Sequence, residues 1–95
     1  METLVENDKC KFSVDWQHGV VALLHLEVYK WSHTLFKNYY LPEWGKTLQR
    51  LKDEGAHSVC ALVPSDDEKV SKFHALLGMY EAWDDGVWRI NRRWL

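Results

Sequence analysis

HSVCALVPSDDEKVSKFHALLGM, residues 57–79, holds the pattern that decides the fold. It opens on the apolar run Val59-Cys60-Ala61-Leu62-Val63, short and suited to a buried strand, and Pro64 stops it. Ser65, Asp66 and Asp67 follow, residues that cap a helix and set negative charge at its positive end. Val70, Phe73, Ala75, Leu76 and Leu77 then recur at roughly helical spacing, and Gly78 fits the stop. Met79 begins another extended segment. A strand that leads through a helix to a further strand predicts an α/β or α+β sheet.

Working outward toward the C-terminus, Met79 to Trp83 reads as a strand and Asp84-Asp85-Gly86 as a turn. Val87 to Arg92 reads as the returning strand of a hairpin. Toward the N-terminus, Val20 to Trp31 is a long strand-like run, apolar on both faces in its first half and mixed thereafter. Lys11 to Trp16 alternates, with Phe12, Val14 and Trp16 on one face, and Gln17-His18-Gly19 connects the two. Residues 1–10 read as a polar lead-in. Between the two halves, His33 to Glu54 has helical spacing after a cap at Ser32. Pro42 falls inside it, so the helix either kinks there or ends near Tyr40 and restarts with Pro42 in its first turn. The predicted order is β-β-α-β-α-β-β, a mixed sheet with helices packed on it, in a single domain spanning residues 1–95.

Net charge is −2, with 27% charged and 46% hydrophobic residues, which marks a globular chain and argues against a broad electrostatic grip on nucleic acid or membrane. No apolar run reaches the roughly 18 residues that span a bilayer. The acidic start METLVENDKC lacks the apolar core of a signal peptide, so the expectation is a cytoplasmic protein. Cys10 and Cys60 stand far apart with no CxxC partner and read as reduced thiols. The histidines form no metal-binding spacing, and no metal is expected.

Six tryptophans in 95 residues exceed what so small a core can hide, so some are expected at a partner surface. Trp44, Trp83, Trp88 and Trp94, with Arg92 and Arg93, are the candidates for it. At the C-terminal end, alternation puts Arg89 and Arg93 on one face and Trp88, Arg92 and Trp94 on the other. Basic residues interleaved with aromatics also suit nucleic acid, a minor reading in a net-acidic chain; a solvated edge strand is the plainer one.

From Val20 onward the order resembles the C-terminal two-thirds of the GCN5-related N-acetyltransferases, the GNAT superfamily. In the helix after Pro64, Asp67 stands where that family often has Asn, Val70 where it has Ala, and Phe73 before its Tyr position. His74 stands at the Tyr, and Gly78-Met79 at a Gly-Phe pair. The Val63-Pro64 exit is similar to small acetyltransferase-like proteins of tailed phages. The resemblance implies a minimal GNAT-like fold, with acetyl-CoA as cofactor if the chain is an enzyme. It also implies Glu27 as a base acting on an amine, His25 beside it, and His74 in place of the acid that protonates the leaving thiolate.

Two departures weigh against catalysis. Family members hold the coenzyme's pyrophosphate on a glycine-rich turn opening the long helix. Here Ser32-His33-Thr34-Leu35-Phe36-Lys37 has no glycine, leaving Ser32, His33, Thr34 and Lys37 as weaker candidate contacts. Only about ten residues precede the first expected strand, so the family's front strand and helices are expected to be missing. The resulting expectation is a phage-encoded GNAT-like protein acting mainly through protein contacts, as a virion component or an inhibitor of a host protein, with self-association as one form of contact. An active N-acetyltransferase acting on an amine or protein lysine is the alternative, and a nucleic-acid-binding module the third.

Overall fold

The run Val59–Val63 lies inside the sheet as β4 (Ser58–Pro64), flanked on both sides, in the computed structural model, which describes residues 1–95. The other strands are β1 (Glu2–Glu6), β2 (Cys10–Gln17), β3 (Val21–Val28), β5 (Tyr80–Asp84) and β6 (Trp88–Trp94). They form one sheet in the order β1-β2-β3-β4-β6-β5. Only β3 and β4 run parallel; every other neighbouring pair is antiparallel. A parallel pair needs a long crossover, and the helical segment after Ser32 supplies it.

That crossover begins where the sequence places it: the Ser32 hydroxyl accepts from the Leu35 N–H at 3.0 Å. A short helix, α1 (His33–Leu35), passes into a π-helical segment (Phe36–Tyr40) and then α2 (Leu41–Asp53). The two expectations for Pro42 resolve into a third arrangement. The helical backbone runs on through Tyr40 and Leu41, and it widens before the proline. Leu41 N–H bonds back to the Phe36 carbonyl, and Pro42, which has no N–H and crowds the preceding turn, enters in the first turn of α2.

Helix α3 (Glu68–Leu76) starts at Asp67, whose side chain accepts from the Val70 N–H at 3.1 Å. It stops before Gly78, at φ 82°. The β5–β6 turn follows its Asp-Asp-Gly signal: Asp85 Oδ1 accepts from Val87 and Trp88 N–H, and Gly86 takes φ 89°. At the β2–β3 turn His18 and Gly19 both take positive φ, and Val20 N–H donates back to the Gln17 carbonyl.

Residues 2–6 correct the expected polar lead-in. Glu2–Glu6 is a strand, antiparallel to β2. A register shift between Thr3 and Val5 breaks the alternation, so Leu4 and Val5 are both half-buried instead of facing opposite sides. That bulge removes the period-2 signal by which a strand is recognised. The order is therefore β-β-β-α-β-α-β-β.

All helices pack on one face of the sheet. Val14, Ala22, Leu24, Val59 and Ala61 meet Trp44 and Leu51 of α2, with Leu77 and Met79 beyond α3. Cys10 and Phe12 meet Tyr40 of the π segment in a smaller cluster. The opposite face, carrying Leu23, His25, Glu27, Leu62, Trp88 and Trp94 by alternation, has no helix over it.

Candidate functional site

β3 and β4 pair only at Val21–Ser58, Ala22–Val59 and Leu23–Cys60, and then part. Each strand instead stays with its antiparallel neighbour, β3 with β2 as far as Val28–Cys10 and β4 with β6 as far as Pro64–Trp88. Parallel pairing is the weaker of the two, and the sheet's twist draws the strands apart. The gap is a slot of about 210 Å³ lined by residues of both faces and covered on the helix side by α3. Leu24, Leu26 and Ala61 line it from the helix side, with Val70 and His74 of α3, and His25, Glu27 and Leu62 from the open side. It continues past Leu26 and Val70 into an apolar groove of about 420 Å³ lined by Val28, Tyr29, Trp31 and Phe73, with Lys69 at its polar side. The gap thus brings together Glu27, His25 and His74.

His74 is not a surface histidine. It is 3% exposed, and burial with the nearby Arg89 charge pushes its imidazole down to about 4, so the ring is neutral at neutral pH. Its orientation follows from a chain of partners. Arg89 Nε can only donate, and it reaches Asn91 Oδ1 at 2.7 Å. The Asn91 amide nitrogen therefore faces His74, 2.9 Å from Nδ1, which accepts and leaves the ring proton on Nε2. A neutral Nε2–H can hydrogen-bond an oxygen in the slot but cannot act as an imidazolium acid near neutrality.

Glu27 is solvent-exposed and accepts from the Tyr29 hydroxyl at 3.1 Å. Partial desolvation and that bond push the phenol up from its ordinary value. His25 stands 3.4 Å from Asp15 across the β2–β3 pair, a contact that becomes an ion pair only when the ring is protonated. Both residues can act on a group approaching from the open face.

Ser32, His33, Thr34 and Lys37 are exposed and line neither hollow. Ser32 spends its side chain on Leu35 N–H and its carbonyl on Phe36 N–H, capping its own helix. Trp31 stands at the groove instead, stacked on Tyr40 at 5.9 Å and edge-on to Phe73 at 5.5 Å. Sequence reading missed Trp31, Tyr29 and Asn91 as site residues. Asn91 carried a signal: it is a polar residue at an inward position of an alternating strand, flanked at two residues' distance by Arg89 and Arg93.

The open face is the second candidate surface. Trp83, Trp88 and Trp94 are 48%, 45% and 59% exposed, and Tyr80 and Leu62 stand beside them. Arg92 Nε donates to Cys60 Sγ at 3.2 Å, which lays the guanidinium 5.1 Å from the Trp94 ring centre. Two residues expected here lie elsewhere. Trp44 is 3% exposed in the core, because its position on α2 faces the sheet and its Nε1 finds the Leu77 carbonyl at 2.8 Å. Arg93 points to the helix side, where it donates to the same carbonyl at 2.8 Å and meets the negative end of α3.

Cys10 and Cys60 are both buried and unpaired, and burial pushes the Cys10 thiol up. No three His, Cys, Asp or Glu side chains gather to hold a metal ion, and no helix is long and apolar enough to cross a membrane.

Neither a protein-family model nor a curated protein matches the sequence. A solved structure does match in shape: the crystal structure of a "putative phosphinothricin N-acetyltransferase" superposes with a TM-score of 0.64 over 92% of this chain, at 17% identity. This chain has a GNAT-like fold. It spans 63% of the length of that protein. At that identity the likeness fixes the fold of this minimal GNAT-like domain and no more.

Proposed function

We propose that this GNAT-like domain acts mainly as a protein-interaction module through the open face of its sheet. The observation that carries the reading is that Trp83, Trp88 and Trp94, each about half exposed, share with Leu62 a face of the sheet without a helix. Leaving large aromatics in water forfeits the roughly 25 cal/mol per Å² that their burial returns, and several on one uncovered face mark a contact surface. Tryptophan and arginine are also the side chains that dominate binding energy once a partner excludes water. A virion component or an inhibitor of a host protein is the setting that the resemblance of the Val63-Pro64 exit to small phage proteins would imply. Hydroxyl-radical footprinting tests the reading. Trp88 and Trp94 are expected to react freely in dilute purified protein and to be protected in an extract of the source cells. Equal reactivity in both, unchanged when the purified protein is concentrated, would overturn it.

A second reading, acyl transfer from acetyl-CoA, has one observation in its favour: the slot joins Glu27 on the open side to His74 on the helix side. Glu27 would take the proton of an attacking amine while Nε2–H of His74 bonds an oxygen of the acyl group; the amine nitrogen replaces the thiolate on the acyl carbon. Ser32, His33, Thr34 and Lys37 offer the diphosphate no glycine-lined cradle, which is why this reading stands second. Calorimetry with acetyl-CoA decides it: micromolar binding that Glu27→Gln preserves while abolishing turnover would promote it, and no binding would remove it.

A further inference from the structure

The open face is charged unevenly, and its register shows how. One row crosses the sheet through paired residues: Arg92 on β6, Cys60 on β4, Leu23 on β3 and Asp15 on β2. Arg92, with Tyr80 of β5 beyond it, is the row's cation and Asp15 its carboxylate, and the midpoint between them falls between Cys60 and Leu23. The row beyond the parting of the strands follows the same count. Trp88 pairs with Pro64 on one side, and Glu27 with Lys11 on the other. Aromatic side chains and a cation thus fill the β6 half, and polar and charged side chains the β2 half.

We infer that the occupant of this face is a second copy of the chain, related by a two-fold axis that runs along the strands between β3 and β4. Such an axis exchanges the two halves of the face. It sets each Arg92 over the other copy's Asp15 and each Trp88 over the other copy's Lys11, one ion pair and one cation–π contact, each made twice. An axis across the strands would instead set Arg92 against Arg92. Asp15 is available for this: its neighbours are the N-terminus at 3.6 Å and His25 at 3.4 Å, both loose contacts at the surface. From strand spacing, the face offers roughly 600 Å² per copy, at the low end of what stable complexes bury. The inference rests on the interaction reading above. It also sets Leu62 near the other copy's His25, closing the mouth of the slot, so association and access to Glu27 exclude one another.

Sedimentation velocity on the full chain, from about 1 to 200 µM, tests this. The expected result is a reversible dimer with a micromolar constant. Arg92→Glu or Asp15→Arg alone weakens it at least about tenfold, and the two together restore it to within about threefold of the parent. Circular dichroism melts confirm that the variants fold. A chain that stays monomeric throughout overturns the inference, as does a dimer indifferent to either single reversal or a double reversal that fails to restore it. If the chain is monomeric while Trp88 and Trp94 are protected in the cell extract, a different protein covers the face and the interaction reading survives.

Discussion

The indole N–H of Trp44 donates to the carbonyl of Leu77 at 2.8 Å, joining α2 to the end of α3, and Arg93 donates to the same oxygen from β6. The face of the sheet under these contacts is closed, whereas the face bearing Trp88 and Trp94 is open. The two kinds of tryptophan should respond oppositely to truncation. Trp44→Ala removes a buried ring and its hydrogen bond and should cost about 3–5 kcal/mol. Trp88→Ser and Trp94→Ser should each cost about 1 kcal/mol or less in dilute monomer. Urea unfolding followed by far-UV circular dichroism measures both.

Gly78 ends α3 with φ 82°, and a Cβ there would collide with the Arg93 guanidinium. Gly78→Ala should therefore strain the backbone and dislodge Arg93 from the Leu77 carbonyl, at a cost of about 2 kcal/mol. Gly55 also has positive φ, but no atom lies within 4 Å of its would-be Cβ, so Gly55→Ala should cost less. Comparing urea midpoints of the two variants checks the difference.

His74 links stability to pH. Its folded value of about 4 lies below the ordinary 6.5, so the unfolded chain binds the proton more readily. The stabilisation is complete above pH 6.5 and is lost as pH falls toward 4, by up to about 3 kcal/mol. His74→Gln, which cannot titrate, should flatten the melting temperature between about pH 6.5 and 5, before most carboxylates respond. A slope unchanged by the substitution would show that another group carries it.

Ser58 Oγ is buried without a hydrogen-bond partner, beside Trp94 in the register. An unpaired buried hydroxyl costs free energy, so Ser58→Ala should leave stability unchanged or raise it by up to about 1 kcal/mol. Differential scanning calorimetry would register a fall in melting temperature if the hydroxyl were in fact satisfied.

The residues that shaped the fold were legible wherever local chemistry acted alone. Asp67 and Ser32 cap helices as their sequence context predicts, and the Asp85-Gly86 turn forms where its residues place it. β1 was hidden because its bulge puts Leu4 and Val5 out of alternation. Trp44 was misplaced because a tryptophan count cannot say which indole finds a buried acceptor; the Leu77 carbonyl lies 33 residues away. The grouping of Glu27, His25 and His74 was suggested by a family likeness, but the slot that joins them depends on where two strands part. The burial that neutralises His74 and the alignment of Arg92 with Asp15 are likewise products of register, which no local pattern encodes.

Replacing Trp88 by arginine tests the central claim most directly. Trp88 lies on the open face and outside the slot, so Trp88→Arg should leave the fold and any acetyl-CoA binding as they are. The predicted result is that Trp94, protected from radical oxidation in an extract of the source cells in the parent protein, becomes as reactive there as in dilute purified protein. A variant whose Trp94 keeps the parent's protection, or a parent whose Trp94 is never protected, would contradict the assignment of this face to partner binding.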